Sequence, residues 1–167
     1  LARWGQITEV EVIKKLPIAK PMRWGNYDYS FIRPVHWLVI LFGDKTVKCD
    51  LFGLKAANKT YGHRFLAPKA IALKNPQEYE KKLNKAFVIA NFDDRLKNIN
   101  TQIAKAAATI SKKIKLNALI NSELLTEVTS LVEWPVAHVG EFDPDFLSVP
   151  QECLITSMVS NQKYFAV

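Results

Sequence analysis

An α+β fold, with helices packed on a mixed or antiparallel sheet, is predicted for this chain from three observations. Stretches of β-branched and aromatic residues between residues 22 and 65 are broken by Gly and turn-forming pairs, as strands are. Later segments instead carry apolar residues at intervals of three and four, the period of a helix. The two kinds of segment mix without strict β-α-β alternation, and no internal repeat is present. With 167 residues and 49% hydrophobic content, one full core can form. The expected layout is a single domain over 21–167, preceded at 1–20 by the trailing part of a helical segment. Leu1 is not an initiator Met and the chain stops at Val167 as a strand-like stretch begins, so a piece cut from a longer polypeptide is expected.

Ile7, Val10, Ile13 and Leu16 recur every three residues and predict a helix stopped by Pro17 and Pro21. Asn26 to Ser30 read as a polar turn, and Val35 to Phe42 as a buried strand. Gly43-Asp44 predicts a tight hairpin, with Val47 to Phe52 as the returning strand. Gly53 to Phe65 is then a long polar loop, with Phe65 expected to anchor it in the core. Asn75, Pro76 and Glu78 predict a capped helix through about Ala86, with Tyr79, Leu83 and Phe87 inward. Val88 and Ile89 fit a brief strand. Asn91 opens a long helix of about 35 Å, with Leu96, Ile99, Ile103, Ala107, Ile110 and Ile114 on one face and Lys97, Lys105, Lys112, Lys113 and Lys115 off it. Another helix starts at Asn121 or Ser122, with Leu124, Leu125, Val128 and Leu131 inward, and ends at Trp134-Pro135. Val136 to Val139 reads as a strand, Asp143-Pro144 as the cap of a short turn, and Pro150 to Val159 as a last helix.

The net charge of +7 hides an asymmetry: residues 1–116 hold 22 of the 23 Lys and Arg, whereas residues 117–167 hold one against seven Asp and Glu. Internal pairing of the two parts would explain this, and so would a polyanion partner such as nucleic acid. The longest apolar run, Trp37 to Phe42, is far short of the roughly 18 residues of a membrane span. Cys49 and Cys153 stand far apart without a motif, so reduced thiols are expected. No Gly-rich phosphate cradle is present, so no ATP site is expected in this portion. His36, His63 and His138 are scattered and do not make a metal centre, and His36 reads as a hydrogen-bonded core residue. No catalytic residue is assigned.

Four clusters set a cation beside a flat ring: Met22-Arg23-Trp24-Gly25, Phe31 to Trp37, Thr60-Tyr61-Gly62-His63-Arg64-Phe65 and Gln162-Lys163-Tyr164-Phe165. Such pairs suit phosphates and unstacked bases, and they equally suit Arg packed on a ring inside a protein. The segment from Lys55 to Phe65 adds glycines for close backbone approach, cationic donors and a ring. The RNA-binding candidates are therefore Arg64, Lys59, Lys55, His63 and Tyr61, with Arg23 and Arg33 as weaker ones.

Lys20 to Gly25, Phe31 to Trp37, Gly53-Leu54-Lys55-Ala56, Thr60 to Phe65, Leu124 to Val128, Leu131 to Pro135 and Gln162 to Phe165 together resemble, in order and spacing, the beta subunit of bacterial glycyl-tRNA synthetase. The likeness runs from about Leu16 to the end and departs at Tyr61, Asn161 and Ala166, where the family pattern has Arg, His and Pro. It implies a multi-domain cytoplasmic subunit, joined with a separate alpha subunit in a heterotetramer that attaches glycine to tRNA(Gly) using ATP. In that scheme the alpha subunit holds the reaction centre. This portion, loosely similar to the editing module of the phenylalanyl-tRNA synthetase beta subunit, contributes tRNA engagement or architecture. Editing of mischarged tRNA and docking of the alpha subunit through residues 117–167 are the alternatives. Glycine is the smallest amino acid, so a second hydrolytic sieve would have little to remove.

Overall fold

The computed structural model describes residues 12, 13, 15–110 and 121–166. Ile7, Val10, Ile114 and the lysines at 112, 113 and 115 lie outside them. The chain groups into two units, Leu1–Lys82 and Leu83–Val167, where the sequence suggests one domain over 21–167.

The first unit is built from hairpins. Strands β1 (Met22–Arg23) and β2 (Ser30–Phe31) pair antiparallel, as do β3 (Leu41–Phe42) with β4 (Lys45–Thr46), β5 (Asp50–Leu51) with β6 (Leu54–Lys55), and β7 (Lys59–Tyr61) with β8 (Ala70–Ala72). Among the described residues these stay four separate two-stranded ladders, not one sheet. Gly43 leads the β3–β4 turn at φ +60°, as the sequence predicts. The β5–β6 turn needs two left-handed residues, Phe52 (φ 54°) and Gly53 (φ +71°). Phe52 tolerates this because its ring packs against Trp24, Tyr29 and Phe31, with centroids 5.4–5.6 Å apart. Two expectations change here. Val35 to Phe42 is not a buried strand: only its end pairs, Val39 makes a single parallel bridge to Ala57, and His36, Trp37 and Phe42 are exposed. The supposed loop from Gly53 contains β6 and β7, because Thr60, 2% exposed, alternates inward between outward Lys59 and Tyr61.

Asn75 Oδ1 accepts from Glu78 N–H at 3.2 Å and starts a 3₁₀ turn (Pro76–Glu78) that runs into α1 (Tyr79–Lys85). Phe87, at φ 59°, ends that helix as bonds run from Phe87 N–H to Asn84 and from Val88 N–H to Leu83. Leu83 is buried as predicted, but Tyr79 and Phe87 are about two-fifths exposed.

The second unit centres on α2 (Phe92–Ile110) and α3 (Ser122–Leu131), capped by Asn91 and Asn121. Ile99, Ile103 and Leu125 form the buried core, with Leu96 and Val128 against it as the helical period predicts, and Phe165 packs there as well. Leu131 is the exception, 56% exposed in the last turn. Residues 88–89 and 136–139 form no ladder, and side chains of α2 hold this backbone instead. Arg95 donates to the carbonyls of Thr129 (2.8 Å) and Ile89 (2.5 Å), and Ile89 N–H donates to Glu133. Gln102 donates to Pro135 O at 2.9 Å and accepts from Ala137 N–H at 2.7 Å, so its amide acts as a one-residue strand partner. Asp143 caps a 3₁₀ turn (Pro144–Ser148) as expected. Helix α4 (Gln151–Thr156) is shorter than predicted and continues as a π turn over Ser157–Asn161. Lys163, at φ 59°, then turns the chain back, pairing with Glu127 at 2.9 Å.

Candidate nucleic-acid interface

The cationic residues of the Lys55 to Phe65 segment are placed by the ladders around them. Asn58 fixes the start of β7: its side-chain N–H donates to Leu73 O at 3.2 Å, and Leu73 N–H donates back to its carbonyl at 2.8 Å. With Thr60 buried, strand alternation sends Lys59 and Tyr61 out on one face. Ala57 N–H donates to Leu38 O at 2.9 Å, which lays residues 37–39 beside 57–59. That bond brings Trp37 to Tyr61, their ring centroids 4.9 Å apart and tilted by 54°. Trp37 is not among the binding candidates that the sequence suggests, because it reads there as part of a buried strand, although its cluster with Arg33 and His36 is a signal for it.

Beyond Tyr61 the chain turns sharply. His63 Nδ1 accepts from the backbone N–H groups of Phe65 (3.3 Å) and Leu66 (3.2 Å), and Ala67 N–H donates to His63 O at 2.9 Å. Nδ1 must be unprotonated to do this, so His63 shapes the turn as an acceptor. Arg64 is exposed at the tip, and Phe65, expected in the core, is 81% exposed. A tight turn places successive side chains outward before the chain can return to β8.

Among the described residues no carboxylate forms an ion pair with Lys55, Lys59, Arg64 or Arg33. Lys55 stands across the ladder from Asp50. Arg33 is exposed on the segment after β2, in a shallow open groove lined by residues 31–37. Arg23 is turned onto its own hairpin, donating to Tyr27 O at 3.2 Å and pairing with Asp28 at 3.3 Å. The structure thus brings Lys59, Tyr61, His63 and Arg64 together on one strand and its turn, with Lys55 on the preceding hairpin. Arg23 and Arg33 belong to the first hairpin and the segment after it.

Two described groups titrate away from their ordinary values. Burial, and then neighbouring Tyr27, pushes the Tyr29 hydroxyl up. Hydrogen bonds from Lys82 and from Lys74 N–H hold the Glu78 carboxyl down. Among the described residues no three His, Cys, Asp or Glu side chains gather to hold a metal ion, no helix is long and apolar enough to cross a membrane, and Cys49 and Cys153 are not joined.

Residues 6–167 match the family model of the glycyl-tRNA synthetase beta subunit. The glycine–tRNA ligase beta subunit of Hahella chejuensis is 46% identical over 158 residues, covering 94% of this chain. Those of Marinobacter nauticus and Chromohalobacter salexigens are 46% and 47% identical over 153 residues, covering 91% and 92% of it. The chain spans 22% of the length of each of these relatives. With the family model matched from residue 6 to the end, the chain belongs to the glycyl-tRNA synthetase beta subunit family.

Proposed function

We propose that this chain is the part of a glycine–tRNA ligase beta subunit that grips tRNA(Gly), while a separate alpha subunit carries out the ATP-dependent attachment of glycine, in a cytoplasmic heterotetramer. The observation that carries the reading is that Lys59, on the outward face of β7 with Tyr61, and Arg64, at the tip of the turn that follows, are exposed and without an ion pair among the described residues. Carboxylate neighbours would tie such cations up; left in water, they are open to phosphate oxygens. On this reading the portion needs no cofactor or metal of its own, and ATP is used elsewhere in the enzyme. The likeness to the phenylalanyl-tRNA synthetase editing module enters as architecture, without its hydrolysis.

The test is tRNA binding by the complete synthetase across a salt series. Lys59→Ala and Arg64→Ala should each weaken binding and flatten the log–log salt slope by about 0.7–0.9, because a phosphate without its cationic partner keeps its counterion. Glycine-dependent exchange of pyrophosphate into ATP without tRNA should be unchanged. If both variants bind with unaltered affinity and slope, the strip is not an RNA interface.

A second reading, docking of the alpha subunit, is favoured by one observation in the acidic part: Leu131, Val136, Phe146 and Leu147 are all more than half exposed. The two readings concern different units and are compatible.

A further inference from the structure

Two groups of Trp, Tyr and Phe rings contact one another in the first unit. Trp24, Tyr27, Tyr29, Phe31 and Phe52 pack on one another. Trp37 and Tyr61 pair with each other and remain 43% and 39% exposed, although burying such rings is strongly favourable. Tilted by 54°, they are not stacked face to face. Both are held in place by backbone: Trp37 by the Leu38–Ala57 bond and the Val39–Ala57 bridge, Tyr61 by its pairing with Ala70. A platform fixed in this way loses little freedom when a ligand arrives. Lys59 emerges two residues before Tyr61 on the same face, about 6.6 Å along the strand, within the span of one nucleotide.

The geometry points to an unstacked base of single-stranded RNA seated on Trp37 and Tyr61, with its backbone phosphate on Lys59. This rests on the RNA-binding reading above and deepens it: Trp37 becomes a contact residue, and the strip prefers single strands. Bases within a duplex are already stacked on both faces and offer none to a ring, whereas unpaired nucleotides do.

The experiment compares a short single-stranded oligouridylate with an RNA duplex, both bound to the complete synthetase. Trp37→Ala should weaken the single strand by about 5- to 150-fold, the worth of one stacked base. It should leave the duplex and the salt slope unchanged, and Trp37→Phe should keep most of the affinity. Lys59→Ala should weaken both RNAs and flatten the slope by about 0.7. As a check that does not depend on any variant folding, light-induced crosslinking of iodouridine-substituted single strand to the native enzyme should mark Trp37 or Tyr61. Crosslinks found only elsewhere, or equal losses on single strand and duplex for Trp37→Ala, overturn the proposal. If Lys59→Ala and Arg64→Ala weaken binding while Trp37→Ala does not, the ring platform falls and the RNA-binding reading stands; if none of the three matters, both fall.

Discussion

Gly43 and Gly53 hold the same left-handed backbone and differ in what a methyl group would meet. At Gly43 nothing lies within 4 Å of an added Cβ; at Gly53 the Tyr29 hydroxyl would be 2.7 Å away and its Cζ 3.7 Å. Gly43→Ala should therefore cost about 1 kcal/mol of backbone strain alone. Gly53→Ala should cost more, and Tyr29→Phe, which removes the offending oxygen, should recover the excess in a double-mutant cycle read by urea unfolding. Glu78 gives a pH test. Its carboxyl is held below the ordinary value by the Lys82 hydrogen bond first and Lys74 N–H second, so the charged form favours the fold. That contribution is full above the ordinary carboxylate value and disappears as pH falls through the lowered one. The gap in melting temperature between wild type and Glu78→Gln should stay constant at neutral pH and close in acid. His63 shows why residue roles are only half legible in sequence. Its type promises a donor to RNA, and the fold uses Nδ1 as an acceptor for its own turn. A side chain that can donate or accept takes its role from the backbone curvature around it, and sequence does not carry that.

Helices are the readable elements because a period repeated over 19 residues, with Asn caps at both helix starts, leaves little choice. Ile103→Ala in the α2 core should cost about 2–5 kcal/mol, and Lys105→Ala, on the exposed face, within about 0.5 kcal/mol; equal losses in denaturant unfolding would mean the core face is wrong. Ladders of two or three residues are too short for alternation to register, which is why β6 and β7 read as loop and Val35 to Phe42 as a full strand. Residues 135–137 mimic a strand for a different reason, since their backbone partner is an amide side chain on a helix. Gln102→Leu keeps the volume and removes both bonds, so it should cost about 1–3 kcal/mol and raise hydrogen exchange at Ala137 selectively.

Charge asymmetry is legible at the scale of the whole chain because it needs only counting, but its division at 116/117 does not fall at 82/83, where the hairpin-built unit gives way to the helix-built one. The boundary inside α1 is not legible, since nothing in the composition of Tyr79–Lys85 marks it. If the acidic part docks another protein chain, Leu147→Asp should lower the fraction of assembled synthetase in sedimentation while leaving the melting of α2 and α3 unchanged, as Leu147 is 69% exposed. The second unit is fastened in two different ways. Gln102 grips residues 135–137 with a neutral amide, which salt does not weaken, whereas Lys163 and Glu127 hold the segment that turns back at Lys163 through opposite charges that are a third to a half exposed. At 1 M salt the Debye length is about 3 Å, so the ion pair weakens first while the clamp keeps its hold. Salt titrations meant to count phosphate contacts therefore also act on an internal fastening, and the slope measured on Glu127→Gln is the baseline from which those contacts have to be counted.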